Sequence, residues 1–339
     1  MRSTYPTTEP LVDVLRGPIL ECTHRGHVAI WRHGEGLIAG VGDTNARILP
    51  RSSSKMIQAL PLIESGAADA LGLTTEHLAL SCASHQGAAI HTDRVTTWLA
   101  ELGFSEKDFR CGVQWPNDVP ARNALICSHC GPDQRHNNCS GKHAGFLTFG
   151  HHVKAGPEYV DPSHPLQAAI GEAWDDVTDE PNPEFAIDGC SAPNFATRLS
   201  GLARAMAAFA AAVPDGGTRQ TAMVRLREAM MLHPDLVAGE GRACTRLMRA
   251  MKHRAAVKTG AEGVFIAIVP ELKIGVALKV ADGATRGSEA AIAYILGRLG
   301  VLEPGHAEAQ AFTHGPIRNW NGTETGNLRI AKGLTALQL

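Results

Sequence analysis

The sequence predicts an α+β protein in which one antiparallel sheet, supplied by both ends of the chain, flanks a long helical middle. Three observations predict it. Strand-like runs separated by glycine turns cluster within residues 17–42. Alanine-rich stretches with apolar residues at helical spacing fill the centre, and two strongly apolar runs return near the C-terminal end. A sheet fed from both ends accommodates that order within one domain over 1–339, with β-rich ends at about 14–50 and 255–335 and a mainly helical middle at about 51–254.

Taken in order, Leu20–Thr23 and His27–Trp31 read as strands. The turn His33-Gly34-Glu35-Gly36 leads to a third strand, Leu37–Gly42. No helix follows these glycines closely enough for a dinucleotide-binding loop. Arg51-Ser52-Ser53-Ser54-Lys55 opens a helix after Pro50 that runs to about Ser65, and a second passes through Leu78 to the small-residue stretch Ser81-Cys82-Ala83-Ser84-His85-Gln86-Gly87. A third covers about His91 to Leu102. Residues 105–135 are irregular, rich in Pro, Asn and Cys. Further helices are predicted over about Lys142–His152, 164–175, 195–212, 218–232 and 241–252. Phe185–Cys190 is extended. Val264–Val269 and Ile274–Val280 are strands around a Pro270-Glu271-Leu272 turn. A helix over Ser288–Leu299 and an extended piece over Gly315–Ile330 close the chain.

Composition excludes several classes. With 44% hydrophobic and 19% charged residues, the 339-residue chain is of ordinary globular type. A formal net charge of −2 without charge runs gives no electrostatic case for nucleic acid or an anionic membrane. Met1 to Asp13 lacks the apolar core of an export signal, and no apolar run approaches the roughly 18 residues of a membrane span. The eight cysteines are therefore expected as reduced thiols in a cytoplasmic protein. Without export, Asn138 and Asn321 in their Asn-X-Ser/Thr matches are not expected to carry glycans.

The chemistry concentrates in His136-Asn137-Asn138-Cys139-Ser140-Gly141-Lys142-His143. Cys139 and Lys142 share a helix face, Gly141 and Gly145 permit close backbone approach, and Ser140 stands where a helix cap would. Cys139, Lys142 and Cys190 offer two thiolates and one nitrogen, with a fourth position left for water or substrate, as in open zinc sites. Lysine ligates only as the neutral amine. Cys127-Ser128-His129-Cys130 competes as a half-site, but no second pair completes it. Ser52-x-x-Lys55 places an amine one turn from a hydroxyl at a helix start, the arrangement that activates serine in penicillin-recognising enzymes. A bare match is more often an N-cap with a solvated lysine. Ser84 in its small-residue loop fits a nucleophile or a helix end. Lys258-Thr259-Gly260-Ala261-Glu262-Gly263 fits a site lysine or an ordinary turn into a strand.

Together, Arg51-Ser52-x-x-Lys55, Ala83-Ser84-His85, the block around Cys139, Asp188-Gly189-Cys190, Asp235-Leu236-Val237-Ala238-Gly239 and Lys258-x-Gly260-Ala261-Glu262-Gly263 resemble the asparaginase II family of the Rhizobium type, also called class 3 asparaginases. The resemblance implies a serine-β-lactamase-like fold and hydrolysis of L-asparagine to L-aspartate and ammonia. It implies two serine–lysine pairs, Ser52 with Lys55 and Ser84 with Lys258. It further implies a zinc ion held by Cys139, Lys142 and Cys190, with Arg51, His143 and Asp188 disposed around substrate and metal, and a homodimer. Cys127 and Cys130 lie outside the family pattern. The competing readings are a glutaminase or another Ser-x-x-Lys amide hydrolase, and a non-enzymatic binding protein that uses the metal as a staple.

Overall fold

The computed structural model describes residues 7–181 and 183–339; residues 1–6, part of the stretch read above for an export signal, lie outside it. Its principal element is an eight-stranded sheet that draws on both ends of the chain. The strands are β1 (Glu9–Arg16), β2 (Ile19–Arg32), β3 (Gly36–Val41), β4 (Ala256–Thr259), β5 (Val264–Val269), β6 (Ile274–Val280), β7 (Pro316–Arg318) and β8 (Glu324–Ile330). Their order is β7-β8-β1-β2-β6-β5-β4, with β3 also on β2, and every pairing is antiparallel. The α+β class with a terminal-segment sheet is thus as expected. β1 is a strand the sequence reading missed. It sits between β8 and β2, with Val14 opposite Leu328 and Cys22. Its polar start, Glu9-Pro10, hides the buried Leu11, Val12 and Val14 that follow. β2 is one continuous strand of 14 residues where two short ones are expected.

The chain divides into two compact units. The first comprises Met1–Ser53, Thr197–Ala211 and Arg246–Leu339. It contains the sheet, the Leu199–Ala211 helix and the Thr285–Arg298 helix. β5, Val-Phe-Ile-Ala-Ile-Val, is buried at every position because both helices pack on it. The alanine-rich helix comes very close to β6: a Cβ on Gly275 would stand 2.2 Å from the backbone of Ala203 and of Ala207. That helix belongs to the sheet unit although it lies in the central stretch of sequence.

The second unit comprises Ser54–Ala196 and Ala212–Thr245 and is mainly helical. Its longest elements are the helices Ala89–Glu101, Ser140–Val153, Pro165–Thr178 and Thr218–Leu232. A small hairpin pairs Phe185–Ile187 with Pro193–Phe195. The stretch expected as irregular over 105–135 contains the Val119–Cys127 helix. No described helix is long and apolar enough to cross a membrane.

Burial holds several imidazoles neutral. His27, His77 and His91 all have pKa values below the ordinary 6.5, with desolvation the leading cause in each. The unfolded chain therefore takes up these protons first. Their contribution to stability is complete above pH 6.5 and is lost as pH falls below that value. Melting temperatures measured from pH 7.5 downward are expected to decline once pH drops under about 6.5; a flat profile down to pH 5 would contradict this account.

Candidate active site and metal centre

Within the helical unit, the block around Cys139 folds as a single 3-10 turn over Gln134–His136 followed by the Ser140–Val153 helix. Asn137 holds the junction. Its Nδ2 donates to the carbonyls of Cys111 (2.9 Å) and Gly112 (3.0 Å), while its Oδ1 accepts from the Cys139 N–H at 2.9 Å. Cys139, not Ser140, occupies the N-cap position. Ser140 Oγ instead donates to the Arg135 carbonyl and meets His85 Nε2 at 2.9 Å. The glycines act as expected: a Cβ on Gly141 would lie 2.5 Å from the Leu80 carbonyl, and one on Gly145 would lie 3.0 Å from Ser81 Oγ. The helix therefore sits directly against Thr75–Ser81, and every residue from Ser140 to Gly150 is buried.

Four amine and thiol groups converge here. Lys142 Nζ donates to Cys190 Sγ at 3.1 Å, and Lys55 Nζ donates to Cys139 Sγ at 3.0 Å and to the Ala83 carbonyl. Cys139 Sγ also contacts Asn138 Oδ1 at 2.9 Å. Cys190 arrives on the loop of the small hairpin, closed by Asp188 N–H to the Ala192 carbonyl and by Ser191 at φ 70°. Asp188 itself caps that loop, its Oδ1 accepting from the Gly189 N–H at 2.8 Å. All four groups are nearly inaccessible, with Lys55 at 1%, Lys142 at 2%, and Cys139 and Cys190 each at 3% exposure.

Charge is shared within the cluster. The hydrogen bond between the two thiols pushes the Cys139 pKa up, with burial adding to it. The same bond pulls the Cys190 pKa down against its own burial, with Lys142 assisting. Burial disfavours the Lys142 ammonium, but the thiols, Cys190 foremost, outweigh it and keep the amine charged. A third thiol, Cys111, is pushed up to about 12 by burial and then by the Cys190 charge. His143 is pushed down to about 4 by burial. Tyr159 Oη accepts from the Arg110 N–H at 2.6 Å and lies 2.9 Å from His143 Nδ1. Its hydroxyl proton is thus left for Nδ1, which assigns the imidazole proton to Nε2. That Nε2 makes no hydrogen bond, although the ring favours the Cys190 thiolate by proximity.

These residues fit a soft divalent cation. Among the described residues no group of three or more His, Cys, Asp and Glu side chains is placed to hold a metal ion by itself. What converges is Cys139, Cys190 and Lys142, a sulfur and nitrogen donor set, beside the orphaned His143 Nε2. In the described state Lys142 Nζ donates to Cys190 Sγ and Lys55 Nζ to Cys139 Sγ, so metal binding would displace those hydrogen bonds.

The loop carrying Ser84 is tied to the same place. Ser84 N–H donates to the Val237 carbonyl (2.9 Å), and His85 N–H donates to the Asn138 carbonyl (3.1 Å). His91 Nε2 meets the Asp235 carbonyl at 3.0 Å, and Gly239 at φ 111° lies where a Cβ would strike the Gln86 side chain. The Asp235–Gly239 motif is therefore a clasp on the Ser84 loop.

In the sheet unit, Ser52 lies in the 3-10 turn Arg51–Ser54, with Arg51 at φ 54°. Ser53 Oγ bonds back to the Pro50 carbonyl at 2.7 Å, whereas Ser52 Oγ makes no hydrogen bond among the described residues. Lys258 is the penultimate residue of β4, fully buried, with Nζ donating to the Thr259 carbonyl at 2.9 Å. Gly260 follows: a Cβ there would lie 2.5 Å from the Pro50 carbonyl and 3.2 Å from Ser53 Cβ. The lysine motif and the Ser52 turn are thus packed together. The expected pairs Ser52/Lys55 and Ser84/Lys258 each take one member from each unit. The sequence reading missed Tyr159, Cys111 and the Lys55–Cys139 contact. Tyr159 follows His143 by 16 residues, across a helix end, a separation that carries no sequence signal.

The model of the L-asparaginase II family matches residues 12–330, and the chain belongs to that family of amide hydrolases. None of the curated proteins matches. Among solved structures, a β-lactamase from Mycobacterium bovis is similar at 14% identity, over 80% of this chain and 94% of that one, with a TM-score of 0.45. A protein called Mglu in its native form is similar at 13% identity, over 87% of this chain and 69% of that one, with a TM-score of 0.48. A putative β-lactamase from Bacteroides dorei is similar at 8% identity, over 80% and 93%, with a TM-score of 0.43. The α+β class stands on the sheet and helices themselves.

Proposed function

We propose that this protein is a class 3 L-asparaginase that acts through a serine–lysine nucleophile with a zinc ion at the thiol cluster. The observation that carries the reading is the convergence of Cys139, Lys142 and Cys190 in one buried cluster, reached also by Lys55 and bordered by the Ser84 loop. A binding protein stapled by metal would have no need of a lysine of the nucleophile motif in that cluster.

In the proposed reaction Ser52 Oγ attacks the side-chain carboxamide carbon of asparagine. Lys55, with Ser84 and Lys258 as a relay, accepts the hydroxyl proton and returns one to the departing nitrogen. The C–N bond breaks, ammonia leaves, and Ser52 holds the β-aspartyl ester. Water then adds to the ester carbon and gives a proton to the same relay; the C–Oγ bond breaks, the relay returns that proton to Ser52 Oγ, and aspartate leaves. Cys139, Lys142 and Cys190 would hold the zinc, which supplies Lewis-acid anchoring for the α-amino or α-carboxylate end of the substrate. Arg51, His143 and Asp188 would help set that end in place. We further propose a homodimer in the cytoplasm.

Ammonia release from asparagine, ammonia release from glutamine and nitrocefin cleavage, measured side by side on zinc-loaded protein, test the reading. Turnover is expected to be fastest on asparagine. Inactivity on asparagine with turnover of either other substrate would overturn it.

A further inference from the structure

The Ser140–Val153 helix has three glycines among its buried residues, Gly141, Gly145 and Gly150. Close packing against neighbouring elements accounts for the first two. It does not account for Gly150, where an added Cβ would meet nothing within 4 Å. Glycine is a poor helix former beside alanine, and here a larger side chain has room. Gly150 lines a cavity of about 290 Å³ in the helical unit.

The walls of this cavity are largely aromatic. Phe146 and Tyr159 are buried, with ring centroids 6.0 Å apart. Phe104 stands edge-on to His151 at 5.8 Å. Two opposite charges border the same space. Lys154 sits just past the helix end at φ 56°, exposed, and its Nζ makes no hydrogen bond or ion pair among the described residues. Asp108 accepts the Ser105 N–H (2.7 Å) and hydroxyl (3.1 Å) on Oδ2, which leaves Oδ1 without a hydrogen bond among the described residues. The lysine and the aspartate form no ion pair with each other. A cavity of this size is at the small end of ligand sites; it admits one amino acid and excludes a nucleotide.

We propose that this cavity binds a free α-amino acid with an apolar side chain, of about the bulk of L-phenylalanine. The side chain fills the aromatic space that Gly150 leaves open, where an apolar group gains by leaving water. The α-carboxylate meets Lys154 and the α-ammonium meets Asp108, so each unpaired charge finds its opposite. The site is distinct from the thiol cluster but shares walls with it. The Phe146 ring also lies under Lys142 Nζ, 5.1 Å from its centroid, and Tyr159 Oη lies 2.9 Å from His143 Nδ1. A ligand here would therefore pack on the two rings that flank Lys142 and His143. Binding there does not depend on which amide the enzyme cleaves.

Isothermal titration calorimetry on the full chain as purified tests the proposal. L-Phenylalanine is expected to bind at one site per chain. Three analogues each lack one recognised part: 3-phenylpropionate the ammonium, phenylalaninol the carboxylate, and glycine the side chain. Each is expected to bind about tenfold or more weakly, the scale of one lost charge-assisted contact or one unfilled apolar space. Lys154→Gln is expected to weaken L-phenylalanine by a similar factor, and Gly150→Leu to abolish its binding by occupying the cavity. No binding of L-phenylalanine up to millimolar concentration, equal binding of any one analogue, or wild-type binding by either variant would overturn the assignment. Should Gly150→Leu misfold, the exposed Lys154→Gln and the three analogues decide.

Discussion

Replacing Ser52 with alanine is expected to lower kcat for asparagine by on the order of 10⁴-fold or more, the scale on which loss of an activated nucleophile is felt. The fold should not register the change. Ser52 is only half-buried, and its Oγ makes no hydrogen bond among the described residues, so nothing structural is removed. The neighbouring serine is the control. Ser53 is fully buried and its Oγ is bound to the Pro50 carbonyl at 2.7 Å. Ser53→Ala is expected to cost about 1 kcal/mol of stability and to leave the chemical step near normal. Steady-state kinetics and denaturant midpoints on the two variants give opposite patterns under this account. Near-normal turnover by Ser52→Ala would remove Ser52 as the nucleophile.

The second large effect concerns the thiol cluster. The protein purified with its metal is expected to contain one zinc per chain by elemental analysis. Cys139→Ser and Cys190→Ser are expected to lose most of it and to raise KM for asparagine roughly 10–100-fold, the range seen when metal-site shells are disrupted. Because the zinc is assigned to substrate positioning, kcat should fall less than KM rises. If kcat vanished while KM held, the metal would belong to the bond-breaking step instead. The two variants should also differ in stability without metal. Cys190 is the hydrogen-bond acceptor of the buried Lys142 amine. Removing its thiolate leaves an ammonium without a charge partner, at a cost of about 3 kcal/mol or more. Cys139 is already the protonated member of the pair, so its replacement leaves that ammonium matched.

Some of this architecture can be read without coordinates, for identifiable reasons. Val264–Val269 and Ile274–Val280 are continuous apolar runs around a proline turn, and such runs have few alternatives to a doubly covered strand. β1 was not legible because Glu9-Pro10 and Asp13 break its apolar pattern, although it lies inside the sheet. The Val119–Cys127 helix escaped because periodicity reports a buried face and this helix has none. Likewise the alanine-rich Leu199–Ala211 helix reads as part of the helical middle, whereas its small side chains let it lie on Gly275 of the sheet.

Sequence by itself determined the chemical inventory: a thiol and a lysine in one block, a second thiol between Asp188 and Ser191, two serines each near small residues, and two further lysines. It also determined the family, because eight residues of such unusual composition have few other uses. Only the tertiary structure decided which of these groups meet. Lys55 and Cys139 are 84 residues apart, and Lys142 and Cys190 are 48 apart. Local spacing constrains neither distance. Both contacts exist because Gly141 and Gly145 let one helix lie flat on another and because a two-stranded hairpin turns Cys190 inward. The pairing follows from burial: amines and thiols withdrawn from water must satisfy one another.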